Sequence, residues 1–281
     1  MSYIYVMGAN DSLLEQFYEV VKTEKSPKTA RIYRWHLKWY LDWVGTTDEI
    51  ENPEKSVTEY LRHKAKEGWN KSTANIALHA LAKFWTKVKF KPFTKEFVTL
   101  YGCDRSFMPK ILTREEVSEL FSAAARELVK VEQIMMKTGW YCALRSSELT
   151  DLRRDSLLPN NYIRCPVYKS RKEKYKELEI PSSLYKELMS LPPSPRGKLF
   201  VNPKTGNVYT AGEWSSLFSK FAERVLGKHI RWHDFARHTR LTHLAEDTRD
   251  FFTVLMISGH SNPAVAKKYF QLAKVKLPEV I

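Results

Sequence analysis

Apolar side chains recur at helical spacing in four successive runs between residues 11 and 89, and no other pattern constrains the fold of this chain as strongly. The first run follows the capping pair Asp11-Ser12, and the second opens at Ser26-Pro27 and ends at Gly45. Two further runs occupy about residues 53–66 and 72–89. Because no clear strand pattern interrupts these runs, the sequence predicts a small all-helical bundle over residues 1–100.

A second domain is predicted after a segment that has no clear period. We place the linker at residues 101–112 and the second domain at residues 113–281. Thr113 opens this domain with a capping box to Glu116, and helices are predicted from there to about residue 151. Residues 162–168 and 178–180 have the character of strands, joined by a very basic turn, and helices follow from about residue 211. The predicted fold class is mainly α, with one small antiparallel β-sheet in the second domain.

The charge of the chain indicates the chemistry of its partner. The 281 residues include 46 Lys and Arg against 32 Asp and Glu, a formal net charge of +14. Such an excess is typical either of a soluble, lysine-rich surface or of a protein that binds a polyanion such as nucleic acid. The sequence has no run of eighteen apolar residues and no secretory signal at its start, and its three cysteines have no metal-binding or disulfide-framework spacing. We therefore expect a cytoplasmic protein without a membrane segment.

Phosphate-binding loops and the spaced carboxylates of metal-dependent nucleases are missing from the sequence, so neither a cofactor nor a metal is predicted. Chemistry-bearing residues occur instead as an ordered series in the second domain. The series comprises Thr138-Gly139, Leu144-Arg145, Glu148-Leu149, Lys169, the stretch from His233 through Arg237 to Thr239, Gly259-His260 and Tyr269.

This series resembles the motifs of the tyrosine recombinase, or phage-type integrase, family. The stretch from Thr138 to Leu152 is similar to the first arginine box, Arg237-His238-Thr239 to the second, and Gly259-His260 with Tyr269 to the last. The resemblance covers nearly the whole chain. It implies a SAM-like helical core-binding domain and a catalytic domain that close around double-stranded DNA as a clamp.

The resemblance also implies a role for each residue of the series, and the residue chemistry suits those roles. Arginine forks bind phosphate bidentately, so Arg145 and Arg237 would hold the scissile phosphate. Tyr269 would attack phosphorus and form a 3′-phosphotyrosine without metal or ATP. Lys169 would protonate the leaving 5′-oxygen, since lysine can lose a proton. His260 would bind the phosphate or help to deprotonate the tyrosine.

For several residues the sequence allows more than one role. Lys172 and Lys174 lie in the same turn as Lys169 and are alternatives for the acid. Glu148 is predicted either to pair with Arg145 or to support the site from behind. His238 and His243 are interpreted as structural or solvent-facing.

The second box departs from the family pattern, because three residues rather than two separate His233 from Arg237. On a regular helix the extra residue turns the histidine by about 100° relative to the arginine. We expect His233 to precede the helix, in a loop that absorbs the insertion. In the two other outcomes Asp234 takes its place, or neither residue contacts the phosphate.

The predicted activity is site-specific recombination of DNA. The residues predicted to bind DNA are Lys28, Arg31, Arg34, Lys38, Lys71 and Arg171. The resemblance implies a tetramer on DNA, with residues 271–281 docking on a neighbouring protomer, and a location at the nucleoid. A type IB-like topoisomerase and a catalytically impaired DNA-binding relative are the alternative functions.

Overall fold

The computed structural model describes residues 9–103, 109–168, 175–194, 196–260 and 262–273. The chain divides into two compact units, Met1–Phe107 and Met108–Ile281. Each unit is built around a hydrophobic core of its own.

The first unit is a bundle of four helices. They are α1 (Ala9–Glu24), α2 (Pro27–Val44), α3 (Pro53–Lys66) and α4 (Lys71–Lys87). Ser26 caps α2 by accepting a hydrogen bond from the backbone N–H of Thr29, and Pro27 takes the first helical position, as the sequence predicts. The core of the bundle combines aliphatic side chains with the fully buried aromatic rings of Phe17, Tyr40, Tyr60, Phe84 and Trp85.

The second unit is mostly helical and carries one small sheet. Its helices are α5 (Arg114–Glu127), α6 (Lys130–Tyr141), α7 (Ser146–Thr150), α8 (Ser182–Met189), α9 (Ala211–Leu226), α10 (Arg240–Thr248), α11 (Phe251–Ser258) and α12 (Pro263–Leu272). Its strands are β1 (Leu157–Leu158), β2 (Tyr162–Pro166) and β3 (Tyr175–Glu179), antiparallel in that order. The predicted fold class is confirmed.

The structure corrects the sequence reading in three places. Helix α8 and strand β1 were not predicted. Strand β3 begins at Tyr175 rather than Leu178, so Lys176 lies in the strand and not in the basic turn. The alternation was hidden because the inward positions of β3 are Lys176 and Leu178, and a buried lysine reads as polar. Finally, residues Asp234–Thr239 form a π-helical turn ahead of α10 rather than a regular helix.

A helix that crosses a membrane needs about 20 consecutive, mainly apolar residues. Within the ranges that the structure describes, none is long and apolar enough to cross a membrane.

Candidate active site

Arg145 is positioned by the turn that follows α6. Gly139 makes this turn possible, because a Cβ atom there would overlap the indole ring of Trp232. The indole Nε1 donates a hydrogen bond to the carbonyl of Leu144 at 3.0 Å. Ala143, one residue earlier, adopts a left-handed backbone with φ of 49°, which is uncommon for a residue with a side chain. The packing of Trp232 against Gly139 and Leu144 therefore fixes the turn that precedes Arg145.

Arg237 lies in the π-helical turn and is almost fully buried, with 1% of its surface exposed. Its Nη1 donates to the carbonyl of Ala143 at 2.9 Å, and its Nη2 to the carbonyl of Ser258. These carbonyls follow the end of α6 and end α11, so the guanidinium lies at the negative ends of two helix dipoles. Burial, followed by the charge of Arg145, lowers the pKa of Arg237 to about 10, and the side chain therefore stays charged at neutral pH.

Glu148 lies between the two arginines. Its Oε1 accepts from Nη1 of Arg145 at 2.6 Å, and its Oε2 accepts from the backbone N–H of Arg145 at 2.9 Å. The same Oε2 is 3.9 Å from Nη1 of Arg237. The carboxylate thus forms the ion pair with Arg145 and also supports the site from behind, so the two sequence alternatives hold together.

His260 follows Gly259, which ends α11 in a left-handed conformation with φ of 65°. A Cβ atom at Gly259 would lie 3.1 Å from Val167, so glycine suits both the backbone angle and the space. The Nε2 atom of His260 lies 3.0 Å from Nη2 of Arg237. Since arginine can only donate, Nε2 is the acceptor and the imidazole carries its proton on Nδ1.

Tyr269 lies on α12 and is 4% exposed. Its ring packs in a small apolar cluster with Ala143 and Leu241, beside the guanidinium group of Arg237. Burial raises the pKa of Tyr269, while the charges of Arg237 and Arg145 lower it. The tyrosine and both arginines of the motif series therefore meet in one site within a single chain.

Two more histidines lie at this site. The rings of His233 and His238 are 4.5 Å apart between centroids and nearly perpendicular, and the ring of His238 is 6.0 Å from that of Tyr269. His233 is helical rather than in a loop, which corrects the expectation that a loop absorbs the extra residue. His238 is half-buried rather than solvent-facing, because its imidazole contacts the ring of Tyr269, and this contact is compatible with the structural alternative. His243 is buried and bonds the carbonyl of Leu112 at 2.9 Å, so for this residue the structural interpretation holds.

Lys176 is a site residue that the sequence reading missed. Its Nζ donates to the carbonyl of Cys142 at 2.5 Å and to that of Ile257. Burial lowers the pKa of Lys176, and the nearby charge of Arg237 adds to this effect. Lys176 and Arg237 bind neighbouring carbonyls at two helix ends: Cys142 and Ala143 after α6, and Ile257 and Ser258 at the end of α11. The two side chains therefore connect the turn before Arg145 to the turn before His260. Lys169, Arg171, Lys172 and Lys174 lie outside the described residues.

Both arginines keep a side-chain donor that no acceptor in the described part of the chain uses. Nε of Arg145 and Nε of Arg237 are both buried and have no hydrogen-bond partner among the described residues. A buried donor without a partner costs about 1–3 kcal/mol. Donors on two adjacent guanidinium groups match the oxygens of a phosphate, which would satisfy them.

The outward face of α2 carries three of the other predicted binding residues. Lys28, Arg31 and Lys38 are exposed there, and Trp35 and Trp39 lie among them with 56% and 45% of their surfaces exposed. Two further predicted residues lie apart from this set: Arg34 is half-buried and pairs with Glu15 of α1, and Lys71 is exposed at the start of α4. Exposed indoles between cations are typical of surfaces that bind nucleic acid.

The family of this chain follows from its similarity to known proteins. Residues 110–276, more than half of the chain, match the model of the phage integrase family. The chain belongs to the phage integrase family. Its relatives over nearly the whole length include tyrosine recombinase XerA of Thermococcus kodakarensis, 27% identical over 273 residues that cover 94% of this chain and 92% of the relative. Tyrosine recombinase XerD of Listeria monocytogenes is 24% identical over 293 residues, covering 96% and 97%.

Solved structures agree with this phage integrase assignment at the level of the fold. A lambda integrase dimer bound to a COC′ core site has a TM-score of 0.74 at 14% identity and covers 96% of this chain and 98% of that one. XerH bound to palindromic difH substrate has a TM-score of 0.68 at 19% identity, covering 94% and 81%. The family match and the named relatives confirm the predicted enzyme class, a tyrosine-type site-specific recombinase.

Proposed function

We propose that this recombinase cleaves and rejoins double-stranded DNA through a covalent 3′-phosphotyrosine at Tyr269. One observation carries the proposal: a buried tyrosine lies beside two guanidinium groups, and each of these groups keeps a buried Nε donor without a partner among the described residues. The nucleophile and the positive charge for a phosphate therefore lie together. Relatives of the same family have been solved on DNA, which supports DNA as the substrate.

The side chains of the candidate active site have distinct roles in this chemistry. The Oη atom of Tyr269 loses its proton to solvent and attacks phosphorus as the bond to the 5′-oxygen breaks, and Arg145 and Arg237 stabilise the charge that develops on the non-bridging oxygens. His260 adds a donor, because its proton resides on Nδ1. Glu148 keeps the two guanidinium groups adjacent by neutralising part of their mutual repulsion.

The leaving 5′-oxygen needs a proton. We propose that Lys169 donates this proton, with Lys172 and Lys174 as the alternative donors in the same basic segment between β2 and β3. The Nζ atom of Lys176 is instead held by two backbone carbonyls and fixes the helix ends that carry Arg145 and His260. Its part in the reaction is therefore to position those residues.

The recombinase is proposed to act as a tetramer on DNA at the nucleoid. A lambda integrase tetramer on a Holliday junction has the same fold, with a TM-score of 0.69 at 12% identity. Residues 271–281 are proposed to dock on the neighbouring protomer. Arg171 is proposed to contact the DNA backbone, as are the basic residues of α2 and Lys71.

Strand exchange between two differently labelled duplexes tests the proposed function. Both duplexes carry the target site, which is selected by cleavage from a random library. We expect recombinant products in EDTA and without ATP, because the arginines supply the charge that a metal would otherwise provide. Relaxation of supercoiled plasmid with no exchanged product would contradict recombination and indicate a topoisomerase.

The face of α2 gives a prediction about affinity. The double variant Lys28→Ala/Arg31→Ala is expected to bind DNA more weakly and to reduce the slope of log K against log salt by about 2, one for each lost phosphate contact. Fluorescence anisotropy across a salt series measures both quantities. The control Lys186→Ala/Arg224→Ala removes the same charges from exposed positions on α8 and α9 and should keep the wild-type slope. Equal slopes for all three proteins would remove α2 from the interface.

A further inference from the structure

The π-helical turn Asp234–Thr239 changes which side chains of the second box are neighbours. A π-helix closes its hydrogen bonds to the fifth residue along rather than the fourth, so each turn holds one residue more than an α-helix. Such turns are rare and occur frequently at functional sites. Here Thr239 stabilises the turn with two hydrogen bonds. Its hydroxyl donates to the carbonyl of Asp234, within the turn, at 2.8 Å, and accepts from the N–H of Leu112, outside the turn, at 3.1 Å.

The turn brings together two histidines that a regular helix would separate. His233 and His238 are five residues apart, which in an α-helix places them about 140° apart around the axis. In this structure their ring centroids are 4.5 Å apart and the rings meet edge to face at 88°. The extra residue between His233 and Arg237 is therefore accommodated within the helix, and the contact between the two imidazoles is its consequence.

The second imidazole of the pair reaches the tyrosine. The ring of His238 lies 6.0 Å from that of Tyr269, between centroids, with the planes inclined at 40°. His260 is also near the tyrosine, at 6.1 Å and nearly parallel to it. A chain of ring contacts thus runs from His233 through His238 to Tyr269.

Electrostatics is compatible with a close pair of imidazoles. Burial is the largest cause that lowers the pKa of His233 to about 3 and that of His238 to about 4. The charges of Arg237 and Arg145 lower both further. Both rings are therefore neutral at neutral pH and do not repel each other, and an edge-to-face contact between them is favourable.

We propose that the π-helical turn makes His233 and His238 one positioning unit for the nucleophile. His238 packs against the ring of Tyr269, and His233 acts through His238 by holding its imidazole in place. The inference rests on the proposed function, since it assigns the pair a purpose only if Tyr269 attacks the phosphate. Neither imidazole is assigned a proton transfer.

Single-turnover cleavage of a nicked duplex at saturating protein tests this unit, with DNA affinity measured in parallel. A nucleophile misplaced by about 1 Å costs on the order of 100-fold in rate. His238→Ala is therefore expected to slow cleavage by about 10- to 100-fold while Kd changes less than about twofold. His238→Phe, which restores a flat ring at the contact, should recover most of the rate. A wild-type rate for His238→Ala, or no recovery by His238→Phe, would overturn the proposal.

A double-mutant cycle tests the order of the contacts. If His233 acts only through His238, the double variant His233→Ala/His238→Ala should be no slower than His238→Ala alone. Losses that multiply would show that His233 acts on the phosphate by itself, which contradicts the proposal. His229→Ala changes an exposed histidine outside the site and should match the wild type. Thermal melting of every variant identifies any that fails to fold, and His238→Phe keeps the test decisive if His238→Ala does.

The same assay separates this inference from the proposed function. Tyr269→Phe is included in every series. An adduct that persists in Tyr269→Phe would remove the proposed function itself. An adduct that is lost in Tyr269→Phe but forms at the wild-type rate in His238→Ala would remove only the positioning unit.

Discussion

Replacing Arg237 with lysine is expected to slow cleavage of a saturating nicked duplex by about 10³-fold or more. Removing a single donor to a developing oxyanion already costs about 10²–10³. A lysine also cannot reproduce the contacts of this guanidinium, which reaches the carbonyls of Ala143 and Ser258 and the ring of His260 and lies beside Tyr269. The substitution therefore removes phosphate donors and loosens the nucleophile at the same time.

The Arg237→Lys experiment needs binding and folding measured beside the rate. DNA affinity should remain within a few-fold of the wild type, because most of the affinity comes from phosphate contacts away from the scissile position. The thermal midpoint should fall, since a buried carbonyl that loses its donor costs about 1–3 kcal/mol. Arg224→Lys, an exposed arginine paired with Glu127, is the matched control and should change neither rate nor midpoint. A loss of less than about tenfold in Arg237→Lys would contradict the assigned role.

Much of the architecture was predictable because it depends on local signals. The capped and periodic runs of the first hundred residues correspond to α1–α4, and Thr113 opens α5 with the predicted capping box. The Gly259-His260 motif was also informative, since only a residue free to adopt a left-handed backbone could end α11 so close to Val167.

The departures from the sequence reading have physical causes that lie in the tertiary structure. Lys176 reads as a surface residue, yet it is buried because two backbone carbonyls replace water around its ammonium group. The contact between His238 and His233 could not be predicted, because it depends on the π-helical turn, which the sequence pattern does not reveal. Two signals were available in the sequence. Lys176 alternates with Leu178, as inward strand positions do, and one extra residue separates His233 from Arg237.

Tyr269→Phe gives the largest expected effect, because it removes the only atom to which the DNA can be joined in the proposed reaction. A suicide duplex with a nick beside the cleavage site releases a short fragment after cleavage, so the covalent intermediate accumulates and can be seen by denaturing gel electrophoresis. Tyr60→Phe is the matched control. Its hydroxyl is buried without a partner among the described residues, and the ring packs in the core of the first unit.

The gel gives the most direct test of the central claim, that Tyr269 is the nucleophile. We expect a covalent protein–DNA adduct with the wild type and with Tyr60→Phe, and none with Tyr269→Phe. Digestion of the adduct should leave the nucleotide remnant on the peptide that contains Tyr269. An adduct of wild-type yield in Tyr269→Phe, or a remnant on any other peptide, would contradict it.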